Sequence, residues 1–378
     1  MFRKLLIVTA VATALSTGAQ AAAITAGDLV IYRVGTGSAS LTSAATSVFL
    51  DEYTTSGTLV QSIAMPTSAG SANMLTASGT ATSEGQMTLS ADGKFLVLTG
   101  YNAAAGTTGI AATTSATVAR TVGLVNVSTG AADTSTALNA FSGNNIRSAV
   151  SSNGTDIWVA GANTGVGYTT KGSTTMTTVS STITNNRQLE IFNGQLYDST
   201  GSGALGHIEQ VGTGLPTTAG NAMTALPGFP TTGSQYSFFM AHLGSTGTGM
   251  DTLYVADDAA GITKYSFDGT TWTAKGTVGA AADTYRGLTG SVVNGKVQLF
   301  ATGLGGSGAT GGGKLVSFSD ASGWGGAFAG SATLLATAAA NTAFRGVALT
   351  MAVPEVESYA MMLAGLGLMG FIARRRSK

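Results

Sequence analysis

The sequence predicts an all-β fold: a single β-propeller of about six blades, or seven if one repeat is too divergent to recognise, followed by a C-terminal transmembrane helix. Three observations carry that prediction. Charged residues make up only 10% of the 378 and glycine fills 54 positions, which favours short glycine-punctuated strands over long salt-bridged helices. A motif of strand, turn and strand recurs along the body at the spacing of a four-stranded blade. The two ends of the body supply complementary parts of one more repeat.

The motif reads GQMTLSADGKFLVLTG from Gly85, IRSAVSSNGTDIWVAG from Ile146 and NRQLEIFNGQLYDSTG from Asn186. It continues as YSFFMAHLGSTGTGMDTLYVADD from Tyr236, YRGLTGSVVNGKVQLFATG from Tyr285 and FRGVALTMA from Phe344. These starts lie 40 to 61 residues apart. Asn153-Gly154, Asn193-Gly194 and Asn294-Gly295 are hairpin signals, because Asn and Gly tolerate positive φ. A further strand often follows, as in RTVGLVNVSTG and GKLVSFSDASGWG. The last motif offers one strand only, while GDLVIYRVG…TSVFLDEYTTSGTLVQSIAMP near the start offers three without an opener. Joined, they complete a blade and leave no open edge.

The two ends read as addresses. Arg3 and Lys4, an apolar run and the small-x-small site Ala19-Gln20-Ala21 make residues 1–21 a secretory signal peptide. The propeller then spans residues 24–352, and residues 353–378 form a sorting tail. Residues 359–373 carry no charge. As a helix they would measure about 22 Å, short for a ~30 Å bilayer core, with flanking arginines able to snorkel. Arg374, Arg375 and Arg376 hold the far end in the cytoplasm by the positive-inside rule.

Pro354-Glu355, the short apolar helix and the terminal arginines resemble the PEP-CTERM sorting signal of Gram-negative bacteria, with Val356 where that family has proline. The resemblance covers only about the last 26 residues. It implies an inner-membrane-tethered precursor, processed by signal peptidase and then by an exosortase near Pro354-Glu355, and released or re-anchored at the cell surface. Such proteins commonly accompany exopolysaccharide and biofilm production, which makes exopolysaccharide an expected partner.

The body holds twelve basic and sixteen acidic side chains, a net charge near −4, so nucleic acid is not an expected partner. The absence of cysteine excludes disulfides, thiolate metal sites and cysteine nucleophiles. GLGGSG at 303–308 and GATGGGK at 308–314 mimic nucleotide-binding loops. They precede KLVSFSD, a strand pattern, where phosphate binding needs a helix N-terminus. No cofactor is expected. His207 and His242 read as surface or loop residues, and Asp51-Glu52 alternate in facing along a strand. Asp257-Asp258 form a weak candidate calcium loop, outweighed by a solvated turn.

Arg147, Arg187, Arg286 and Arg345 each open a repeat. A ring would bring them to one mouth of its channel, either to hold an anionic ligand or to lock neighbouring blades through carbonyls or an acid such as Glu190. Arginine at these positions favours a binding or scaffold protein over a hydrolase or lactonase with a metal in the channel. A structural filler of the matrix would differ from a binder only in lacking a pocket.

Overall fold

The computed structural model describes residues 21–70, 72–201, 203, 205–244 and 249–351. The expected signal peptide, apart from Ala21, and the expected sorting tail with Pro354, Glu355, Arg374, Arg375 and Arg376 lie outside the described residues. Among those described, regular structure is strand apart from two single 3-10 turns, Ile110–Ala112 and Ala281–Asp283. None of their helices is long and apolar enough to cross a membrane.

The strands fall into six antiparallel units of four, in a propeller-like arrangement. From the innermost strand outward, unit 1 is Thr342–Leu349, Leu29–Val34, Ala45–Tyr53 and Leu59–Ala64. Unit 2 is Thr88–Leu89, Phe95–Tyr101, Arg120–Asn126 and Ala132–Leu138. Unit 3 is Ile146–Ser151, Asp156–Gly161, Val166–Thr170 and Thr177–Ser180, and unit 4 is Asn186–Phe192, Gln195–Thr200, Ile208–Val211 and Met223–Ala225. Unit 5 is Gln235–Ala241, Thr252–Asp257, Gly261–Phe267 and Trp272–Val278. Unit 6 is Gly287–Val293, Lys296–Gly303, Lys314–Asp320 and Thr333–Thr337. A short strand, Thr76–Ser78, joins units 1 and 2 into one ten-stranded sheet.

The innermost strands touch in the order of units 1 to 6, and unit 6 touches unit 1 again. Unit 1 forms as the sequence suggests, with Leu29 opposite Leu349 and Val30 opposite Ala348. The apolar core is divided accordingly, one cluster between each pair of neighbouring units. Each sheet buries both faces, so its middle strands read as nearly unbroken apolar runs; LVIYRV and DIWVAG are examples.

The turns divide into two kinds. Asn193-Gly194 and Asn294-Gly295 have positive φ at both residues, the two-residue turn their sequence predicts. At Asn153-Gly154 only Gly154 is left-handed. Asn153 instead accepts from the backbone N–H groups of Thr155 and Asp156 through its side chain, giving a longer loop. The glycine loop 303–313 leads into the strand Lys314–Asp320, as its pattern implies, and Gly311–Gly312 pair in parallel with Thr342 and Ala343.

Candidate functional site

Because the first strand of every unit lies nearest the axis, residues at like positions in the six repeats meet there. The axis has an arginine end, a polar floor and an apolar end.

At the first end the structure brings Arg147, Arg187, Arg286 and Arg345 together, and each guanidinium reaches beyond its own strand. Arg147 donates to Asn185 Oδ1 at 2.6 Å and to the Asn186 carbonyl at 3.0 Å in unit 4. Arg187 donates to Ser234 Oγ at 2.9 Å and the Gln235 carbonyl at 3.1 Å, and its guanidinium lies 3.8 Å from the Tyr236 ring centroid. Arg286 pairs with Asp258 at 3.0 Å. Arg345, only 4% exposed, donates to the Gly79 carbonyl at 3.1 Å. Burial pulls the proton affinity of Arg147 and Arg187 down, with a smaller contribution from a neighbouring guanidinium. Burial also brings Arg345 down to about 10.

The acids fall elsewhere than the sequence suggests. Glu190 does not pair with an arginine; it lies across the floor, three residues further along its strand than Arg187. Asp257 accepts from the Ser234 and Ala259 backbone N–H groups, at 2.9 and 2.8 Å, while Asp258 is taken by Arg286. Among the described residues no three acids or histidines are grouped to hold a metal. His207 is buried rather than superficial, with Nδ1 2.6 Å from Gln235 Oε1, and His242 pairs with Asp251 at 2.8 Å.

The floor comes from the two repeat openings that lack arginine. Gln86 of unit 2 and Ser237 of unit 5 occupy the arginine position of their motifs, and Ser237 Oγ meets Gln86 Oε1 at 2.9 Å. Ser237 also meets Gln188 Oε1 of unit 4 and the Arg286 carbonyl. All three side chains are buried. Aligning the repeats would have flagged Gln86 and Ser237, but nothing in the sequence shows that they touch.

Beyond the floor lies a cavity of about 430 Å³ lined by residues 87–91, 190–194, 288–290 and 347–349 with Phe238, Phe239 and Met351, so five of the six units contribute. Its walls are apolar except for backbone, small hydroxyls, Asn193 and Glu190. Gln188 Nε2 donates to Glu190 Oε1 at 2.7 Å. Burial pushes the Glu190 carboxyl up to about 8, against a smaller downward effect of Gln188. Glu190 is therefore mostly a neutral acid at pH 7. Leu349 and Met351 also line an adjoining cleft between units 6 and 1.

No family model matches the chain, and no curated protein matches it. Among solved structures, one from a nidogen/laminin complex is 12% identical over 86% of this chain and 98% of its own, with a TM-score of 0.49. A Pseudomonas aeruginosa periplasmic gluconolactonase is 11% identical over 82% of each chain, TM-score 0.43. A Bacteroides uniformis putative 6-phosphogluconolactonase is 12% identical over 82% of each, TM-score 0.42. These neighbours are propeller-like, and at such identity none of them transfers an activity or ligand to this chain.

Proposed function

We propose that this chain is an exported, surface-sorted protein whose body, a single six-bladed β-propeller, works as a binding or scaffold module. The observation that carries the reading is the cavity on the axis, walled by five units and open to a ligand. An extracellular polysaccharide matrix is the setting its tail suggests. Signal peptidase would remove residues 1–21, and an exosortase would act near Pro354-Glu355, a few residues beyond the innermost strand of unit 1. The alternative, an extracellular hydrolase or lactonase at the channel mouth, draws on Glu190 as a general acid. It lacks a second ionisable side chain in the cavity lining.

Mass spectrometry of the protein recovered from cells and medium of its native host tests the reading. The expected chain starts near Ala22, ends near Pro354, and carries a non-covalent adduct that a Thr289→Trp variant, with its cavity filled, lacks. A chain retaining Arg374, Arg375 and Arg376 would overturn the processing step, and an adduct-free cavity would overturn the binding role.

A further inference from the structure

Resting on that reading, we propose that the axial cavity takes an uncharged, largely apolar ligand that offers a hydrogen-bond acceptor to Glu190. Three observations converge on this class. The walls presented to a ligand include Ile191, Phe192, Phe239, Leu288 and Val347, which reward apolar burial. Glu190 is the one ionisable side chain in the lining, so no cation is present to neutralise an anionic ligand. Its Oε1 is occupied by Gln188, and among the described residues its Oε2 takes no hydrogen bond.

The floor orients the carboxyl. Ser237 Oγ lies against Gln86 Oε1, Gln188 Oε1 and the Arg286 carbonyl, which fixes the oxygen end of the Gln188 carboxamide in the floor. The Nε2 end of the same Gln188 carboxamide is directed at Glu190 Oε1, so Oε1 is engaged as an acceptor and Oε2 is the carboxyl atom left to a ligand. With Oε1 accepting from Gln188, the single proton of the neutral carboxyl sits on Oε2, where a ligand acceptor can take its hydrogen bond. The surroundings bring no competing charge. Arg147 and Arg187 lie beyond the floor, Asp92 pairs with Lys94 at 3.5 Å, and the cross-strand neighbour of Glu190 is Tyr197. A carboxylate ligand would meet a neutral acid at best and an anion once Glu190 ionises.

Calorimetric titration with methyl caprylate and with caprylate, an ester and a carboxylate of the same acyl chain, tests the proposal. The ester should bind near neutral pH at least tenfold more tightly than the carboxylate. Its affinity should fall by about tenfold per pH unit above the Glu190 pKa, since ionisation removes the donor. Glu190→Gln should keep ester binding, abolish its pH dependence and admit caprylate, because an amide donates at every pH. Thr289→Trp should remove binding of both. Equal affinity for the two probes, or a pH dependence unchanged in Glu190→Gln, would overturn the proposal. If neither probe binds while the natively produced protein carries a polar adduct in the cavity, this inference fails and the binding role stands. A cavity empty in every preparation sinks both.

Discussion

Arg345 shows what a single side chain does at the arginine end. It is buried in a ring of like charges, yet its hydrogen bonds go to carbonyls of Gly79 and Gly306, and Glu84, the acid whose charge acts on it, is occupied by the Ser78 backbone N–H and the Tyr101 hydroxyl. Its work is to fasten unit 1 to its neighbours. Gly85 makes room for it: φ is +76°, and a Cβ there would come within 2.8 Å of the Tyr32 ring and 3.0 Å of the Arg345 Cβ. Arg345→Ala should therefore cost about 2–4 kcal/mol in denaturant unfolding, through lost packing and unpaired carbonyls. Glucuronate, a small acidic sugar, gives the complementary measurement. With the guanidiniums engaged inside the protein, it should leave the melting temperature unchanged. A rise abolished by Arg147→Ala would instead establish the anionic-ligand role.

Among the elements, the interface of units 5 and 6 carries the one fully buried ion pair of opposite charge among the described residues. Lys264 donates to Asp320 at 2.8 Å and to Ser322 Oγ at 2.8 Å, and its Nζ lies 5.8 Å from the Tyr254 ring centroid. Lys264→Met should destabilise by about 3–5 kcal/mol because it strands Asp320, and the further change Asp320→Leu should restore much of the loss. Thermal melts of the single and double variants check both halves. The sequence made much of this scale legible. The motifs set the strands of each unit, and the single strand at one end of the body with the three at the other predicted their union. The polar interior was not legible, because Gln86, Gln188 and Ser237 come from repeats far apart in the chain and carry no local pattern. Glu190 was a plausible acid for the repeat-opening arginines in the sequence, but it meets Gln188 instead, while Arg147, Arg187 and Arg345 take the carbonyls that were the other expectation.

The molecule as a whole buries several acids without full compensation. Burial raises Glu84, Glu190 to about 8, Glu209 to about 9 and Asp198 well above its ordinary value; Asp198 and Glu209 face each other across two strands. In each case the native state keeps a proton that the unfolded chain releases in the ordinary carboxylate range. Stability should be greatest at mildly acidic pH and fall as pH rises toward 8 to 9, with the melting temperature declining along the same course. A flat profile across that window would contradict the buried-acid assignment. A second prediction concerns closure. Thr350 Oγ1 reaches the Thr25 carbonyl at 2.7 Å across 325 residues of sequence, and the Thr350 N–H meets the Asp28 carbonyl at 2.9 Å. A chain ending at Asn341 should fail to give a cooperative melt. Joining residue 351 to residue 24 by a short linker, with new ends in the exposed loop around Thr217, should preserve one.

The pairing of Leu29 with Leu349 also sets a timetable. The strand nearest the axis in unit 1 is the last of the described strands to be synthesised, so Leu29–Val34 must wait with its inner edge bare while five complete units emerge. Until then the newborn array is an open arc, exposing a strand edge that invites other chains. Completion is thus reported by the arrival of the strand Thr342–Leu349. A chain cut short in translation or clipped before that strand would show the fault directly, as an edge that never finds its partner.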